Sequence, residues 1–290
     1  MKGLTLGRYA PFNSFVHRLD PRSKLFILVL MMVAVFYSYQ SQVMTFVMGG
    51  ILFLIIFVIL LVSRISLRQL FSSLKALWIM IIILLLINIL VPPVNATNIA
   101  FSVGSFNVFW ESILQSAKII LRLVMMISLT LILTATTKPL DLTYALEWYM
   151  YPLKIIKFPT HEIAMTISIA LRFIPTLLDE TMRIMNAQAS RGVDFEHGKI
   201  KEKIKAILSL IVPLFMSAFQ RSEELANAME ARGYNPRAKR TRYRNLHWSL
   251  GDTFALILIM VLTAGVIVTS AMNYNYIEMI FNIPTWVIVL

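Results

Sequence analysis

The chain has 290 residues, 58% of them hydrophobic and 14% charged, with a mean hydropathy of +0.73, more apolar than a water-soluble domain of this length needs for its core. Its 27 Lys and Arg against 15 Asp and Glu give a net charge of +12; on a bilayer protein that surplus reads first as a topology signal and an attraction to anionic headgroups. There is no cysteine, which excludes disulfides, thiolate metal sites and a cysteine nucleophile.

Residues 1–24 are polar, aromatic and basic, and no small-residue cleavage site follows them, so no removable signal peptide is expected. The first apolar run covers residues 25–39 and its flanks extend it toward a span. Residues 43–62 give twenty positions without a charge, and residues 76–91 a third run. A fourth lies within 119–137, with Arg122 in its first turn, where its stem reaches an interface. Residues 254–272 make a fifth. Each meets or approaches the roughly 20 residues a membrane helix needs. Residues 277–290, interrupted by Pro284, read as an interfacial segment or packed cap.

Basic residues in the connections set the orientation, because they are retained on the cytoplasmic side. Five Lys and Arg precede the first span, three lie between the second and third, and seventeen fall between Lys138 and Arg244, leaving Lys118 and Arg122 of the 27. Connections 40–42 and 92–117 up to Ala117 hold none and are expected outside; the N-terminus and residues 138–250 are expected in the cytoplasm. The Asn95-Ala96-Thr97 tripeptide matches a glycosylation acceptor but is common by chance.

Residues 138–250 are too polar to cross a bilayer and too apolar for an exposed loop. In 161–190 the apolar positions Ile163, Ile167, Leu171, Ile174, Leu178 and Met185 recur at helical spacing among charged residues. A second such helix over 199–231 carries Ile204, Leu208, Ile211, Phe215, Ala218, Leu225 and Met229, and a shorter amphipathic segment, 141–157, precedes both. Pro175 and Pro213 fall inside these patterns and predict a kink or break in each. The expected architecture is all-α: a polytopic membrane protein with about five transmembrane helices and long amphipathic cytoplasmic helices. Residues 1–137 hold four spans, 138–250 the cytoplasmic region, and 251–290 the last span and a short apolar end.

Both long helices end in nearly the same words, Asn186-Ala187-Gln188-Ala189-Ser190-Arg191-Gly192 and Asn227-Ala228-Met229-Glu230-Ala231-Arg232-Gly233, at an offset of 41 residues. Gly just past a helix supplies the left-handed cap, and Arg near the C-terminus suits the helix dipole. One such ending is ordinary. Two of them, on separate amphipathic helices, read as paired contact points, and the planar fork of Arg suits bidentate bonds to carboxylates or carbonyls in a pocket.

These endings, together with His17-Arg18-Leu19-Asp20-Pro21-Arg22-Ser23-Lys24-Leu25 and Leu171-Arg172-Phe173-Ile174-Pro175, resemble the T components of energy-coupling factor (ECF) transporters, a family that includes cobalt-transport relatives. Hydropathy and segment order agree over essentially the whole chain. The resemblance implies a non-catalytic scaffold in a prokaryotic plasma membrane, bridging a small substrate-binding membrane subunit (the S component) to two cytoplasmic ABC ATPases, expected to differ from each other, for uptake of vitamins or metal ions. It also implies that Ser190-Arg191-Gly192 and Ala231-Arg232-Gly233 dock into grooves on the ATPases, Ser190 standing where many members have Ala. The S component is then expected on the apolar surface of the two coupling helices, and cargo choice belongs to it.

Other readings are weaker. No GxxxxGK[ST] phosphate loop exists in the chain, so ATP would be bound by another polypeptide, and no cofactor is expected. His17, His161, His197 and His247 are scattered without the spacing of a metal site. Asp179-Glu180 point apart on a helix and read as a solvated or partner-facing patch. The basic run 237–244 lies just before a span, where it reads as a topology determinant, not an RNA site. The seventeen Met and eighteen Phe read mostly as lipid-facing or core filler, with Met on the coupling helices helping one surface accept several partners. A self-contained membrane enzyme or secondary transporter is the alternative function, but such a carrier places ionisable groups in its spans, where only Arg122 is expected.

The charge asymmetry makes a topology prediction that a cysteine-free chain tests cleanly. A single cysteine at Thr97 should react with an impermeant thiol reagent on intact cells, and one at Ser222 only after lysis; labelling in the reverse order refutes the orientation.

Overall fold

A computed structural model describes residues 12, 14–37, 42–91, 99–103, 106–195, 199–235 and 247–271. The basic run 237–244, the tripeptide 95–97 and the terminal segment 277–290 lie outside these. The described residues divide into two units, one formed by residues up to 142 together with 247–271, the other by 143–235.

The first unit is a helical bundle. A one-turn helix α1 (Phe15–Arg18) leads into α2 (Pro21–Phe36), followed by α3 (Gln42–Val62), α4 (Leu67–Ala76), α5 (Trp78–Leu90), α6 (Trp110–Thr136) and, after the second unit, α10 (Leu250–Ala271). Helix α6 is the axis, touching α2, α3, α4 and α5, while α10 packs on α2. The core is a row of aliphatic side chains: Met31, Ala34 and Val35 of α2, Leu52, Ile56 and Leu60 of α3, Met125, Leu129, Ile132 and Ala135 of α6, and Ile259 and Val266 of α10. Helices in lipid gain little from hydrophobic burial and associate through close packing at small residues. Gly49 shows this, since a Cβ there would stand 3.1 Å from Leu121 Cδ2 of α6.

Asp20 caps α2 and Pro21 occupies its first turn, where its fixed φ and missing N–H cost nothing. The same residues tie three helix ends together. Asp252, in the first turn of α10, is fully buried. Its Oδ1 accepts hydrogen bonds from the Asp20 N–H at 2.6 Å and the Ser23 hydroxyl at 2.9 Å, and its Oδ2 from the N–H and hydroxyl of Ser249, both at 2.8 Å. Lys24 Nζ donates to the carbonyls of His17, at 3.2 Å, and Thr136, at 3.0 Å. The Asp20, Asp141 and Asp252 carboxylates all act electrostatically on that amine. The starts of α2 and α10 and the end of α6 therefore lie at one end of the bundle. That is the same-side relation the basic residues require.

The third apolar run forms α5, which a bend of 57° joins to α4, and at the bend the Leu77 N–H donates to Leu74 O at 3.0 Å in an i→i+3 bond that tightens the turn. Three expectations about this unit are corrected. Arg122 is mid-helix, because α6 begins at Trp110, and its Nη2 donates to Tyr37 O at the end of α2, 3.2 Å away. Segment 92–117, read only as a connection, contains an antiparallel hairpin, β1 (Ile99–Val103) with β2 (Phe106–Phe109), and the start of α6. Ionisable groups are also commoner in the helices than expected: Glu111 and Lys118 lie in α6 beside Arg122, and Asp252 in α10.

Among the described residues four helices, α3, α6, α8 and α10, are long and apolar enough to cross a membrane, and the bent α4–α5 pair makes a fifth if it is one span. This is an all-α, multi-pass membrane protein. Helix α2, at 16 residues, spans about 24 Å and falls short of the roughly 30 Å hydrocarbon core. Helix α8, expected to lie outside the bilayer, meets the length and composition test instead.

Helix α7 (Pro139–Met150) leads into the second unit, where a 3₁₀ segment (Tyr151–Ile156) and two long helices follow, α8 (Thr160–Ser190) and α9 (Ile200–Ala231). His161 Nδ1 lies 3.1 Å from Glu147 Oε1, tying α7 to the start of α8. Neither long helix breaks at its proline: α8 passes Pro175 and α9 passes Pro213 as single helices. Beside Pro175 the Thr176 hydroxyl donates to Phe173 O at 2.8 Å.

Because Asp252 accepts four hydrogen bonds in a buried site, Asp252→Ala should cost about 2–3 kcal/mol, the penalty of stranding buried donors. Asp252→Asn, which keeps an acceptor oxygen, should cost less. Thermal unfolding of the purified chain in detergent checks both.

Candidate coupling tips

The two Arg-Gly endings adopt the same backbone geometry. In α8, Arg191 is the C-cap at φ −89°, and Gly192 follows at φ +86°. The Gly192 N–H donates to Ala189 O at 2.9 Å and the Val193 N–H to Gln188 O at 3.1 Å. In α9, Arg232 is the C-cap at φ −88°, Gly233 stands at φ +73°, and the Gly233 and Tyr234 N–H groups donate to Glu230 O and Met229 O at 2.9 and 3.0 Å. Both are Schellman caps with the two characteristic reverse bonds. The glycines are needed for their backbone alone, since a Cβ at either would meet nothing within 4 Å.

The caps account for the glycines but not for the arginines. Arg191 and Arg232 are both exposed, each with an exposed small neighbour, Ser190 or Ala231. The Ser190 hydroxyl turns back to Asn186 O at 3.1 Å. Each tip is thus a guanidinium on a rigid, internally satisfied helix end.

Between the tips and the far ends the helices bury very little: Thr160 and Ala164 on α8 and Ala206 on α9. Along α9 the positions Ile204, Leu208, Ile211 and Phe215 of the expected apolar face are exposed, with Ile200 and Phe219 exposed beside them, while Ala218, Leu225 and Met229 are half-buried. The polar contacts between α8 and α9 centre on Glu180. Arg221 Nη2 lies 3.0 Å from Glu180 Oε2, the Ser217 hydroxyl donates to Glu180 Oε1 at 2.6 Å, and the Arg221 guanidinium sits 6.0 Å from the Phe173 ring centre. Glu180, read as part of a solvated or partner-facing patch, has its partner on the other helix; applying the 41-residue offset to it leads to Arg221. Among the described residues no three His, Asp or Glu side chains gather as a metal site would.

A family model described as CbiQ, cobalt transport protein, matches residues 12–243, which include both helices and both tips. The chain belongs to the CbiQ family. Curated relatives of this CbiQ chain include a protein of Macrococcus caseolyticus, 45% identical over 260 residues, covering 90% of this chain and 96% of the relative. Another, from Bacillus subtilis, is 44% identical over 266 residues, with 91% and 97% covered. A third, from Streptococcus thermophilus, is 40% identical over 263 residues, with 90% and 97% covered. All three are named energy-coupling factor transporter transmembrane protein EcfT.

Any residue with a Cβ at positions 192 or 233 must enter the left-handed region, at a cost of about 1–2 kcal/mol. Gly192→Ala and Gly233→Ala should therefore fray their own last turns, read as faster hydrogen exchange at the amides of residues 192–193 or 233–234. Asn at either position should restore most of the protection.

Proposed function

We propose that this chain is the non-catalytic transmembrane coupling subunit of an ECF-type importer in a prokaryotic plasma membrane. Its tips dock two ABC ATPases and its apolar α9 surface carries a substrate-binding S component that takes up a vitamin or metal ion. The observation that carries the reading is the pair of identically capped, exposed arginines at the ends of two helices. A helix end that has satisfied its own carbonyls leaves the guanidinium as the group on offer. Its planar fork recognises carboxylates or carbonyls in a groove bidentately, which an ammonium does not.

Three further features support it. The EcfT relatives carry the transporter name over nearly the whole chain. The sequence has no phosphate loop of its own, so hydrolysis falls to partner subunits. The exposed stripe on α9 spans Ile200 to Phe219, about 29 Å of helix at 1.5 Å per residue. An apolar strip of that length suits a membrane-embedded partner better than water. The N-terminus, the coupling helices and the basic run then face the cytoplasm.

Removing one member of a buried, hydrogen-bonded charge pair costs about 2–5 kcal/mol, enough to weaken one dock by roughly 30-fold or more. Arg191→Ala or Arg232→Ala alone should leave a partly assembled complex with reduced transport. The double substitution should release the ATPases while the subunit stays folded, and Lys should rescue poorly. Were the arginines only helix-end charges, the loss would be about 0.3–1 kcal/mol and Lys would serve nearly as well. Co-purification of ATPases with tagged subunit decides; wild-type stoichiometry and transport in the double variant overturns the docking role.

A further inference from the structure

The two coupling helices match along their whole length. Helix α8 runs 31 residues to Ser190 and α9 runs 32 residues to Ala231, so the offset of 41 that relates the Arg-Gly endings also relates the helices. Adding 41 to Glu180 gives Arg221, the residue it pairs with at 3.0 Å. The helices therefore meet at equivalent positions of the repeat.

We infer that Glu180, Arg221 and Ser217 are positioning residues that set the spacing and symmetry of the two Arg tips, an inference that rests on the tips being the docking points. Arg191 lies eleven residues beyond Glu180 and Arg232 eleven beyond Arg221, about 16 Å of helix on each side. With equal arms, the tips are held at matching positions for two similar pockets. Aliphatic packing alone would fix this poorly, because the helices bury so little and an apolar seam slides with small cost. A carboxylate that takes a guanidinium on one oxygen and a hydroxyl on the other, both from the opposing helix, has one register in which both bonds form. The Phe173 ring beside the guanidinium restricts it further.

The charge chemistry makes the test specific. Nitroxides at cysteines replacing Asn186 and Asn227, exposed equivalent positions one turn before the tips, report the tip-to-tip distance in the full chain reconstituted in lipid nanodiscs. The unsubstituted pair should give one narrow distribution. Glu180→Ala should broaden or shift it, Glu180→Gln and Ser217→Ala should do so less, and the exchange of Glu180→Arg with Arg221→Glu should restore it. In the assembled transporter, Glu180→Ala should keep both ATPases bound but lower substrate transported per ATP hydrolysed by about five-fold or more, and the exchanged pair should recover that ratio. A side chain that served stability alone would lower yield and leave the ratio untouched. An unchanged distance distribution in monodisperse Glu180→Ala protein overturns the inference; if that variant does not fold, an unchanged distribution in Glu180→Gln does so. If the unsubstituted chain binds no ATPase, the docking reading fails while the distance result still stands or falls alone.

Discussion

Two helices of more than thirty residues that bury three side chains between them keep a fixed relation only through the few places where they touch. The Glu180–Arg221 pair and the Ser217 hydroxyl are such a place, and the ion pair joins equivalent positions of the repeat. A half-exposed ion pair contributes little to stability, typically about 0–1 kcal/mol. Its effect on geometry is separate from that, because a two-oxygen acceptor facing two donors selects one register among many that packing alone would tolerate. What the tips present to partners depends on this selection.

The two units divide the physics of the protein between them. In the bundle, close-packed aliphatic side chains and a buried polar knot at one end hold the helices to one another. The coupling helices leave their requirements open. Their long apolar face is uncovered and their arginines project from finished helix ends. A soluble protein with such a surface would aggregate; in an assembly the same surface is what holds a neighbour. The contrast is the reason a scaffold reading fits this chain better than a self-contained carrier, whose ionisable groups would line a pathway. Here Lys24 and Asp252 spend their hydrogen bonds on helix ends.

Much of this was legible in the sequence because bilayer and helix periodicity write strong signals. The starts and ends of α3, α8 and α9 follow from a charge-free run, the 3.6-residue repeat and the Arg-Gly stops, while α10 begins four residues before its charge-free run, at Leu250. What was missed is non-local. Asp252 reads as an ordinary charge flanking a span, and nothing in its neighbourhood says that its acceptors serve Asp20, 232 residues away. The hairpin at 99–109 did carry a signal, the alternation of Ile99, Phe101 and Val103 around a Gly-Ser pair, but a loop without basic residues drew the eye to topology instead. The prolines misled because each removes one hydrogen bond, while helices of 31 and 32 residues continue their bonding on both sides of it. Glu180 was misjudged because charge on one helix was weighed against its neighbours in sequence, when the offset already printed in the endings named its partner.

The knot at the bundle's end also carries a consequence for how the protein is made. Asp20 and Asp252 stand 232 residues apart, so during synthesis the first turn of α2 must wait, with the Asp20 amide and the Ser23 hydroxyl already made, until α10 has been inserted. Chain entropy makes that closure slow but not costly, since the penalty grows only with the logarithm of loop length. The bundle is thus locked last by its last helix. A truncated chain lacking α10 would keep the Lys24 bonds to His17 and Thr136 but would leave the Asp20 amide and the Ser23 hydroxyl without the Asp252 carboxylate.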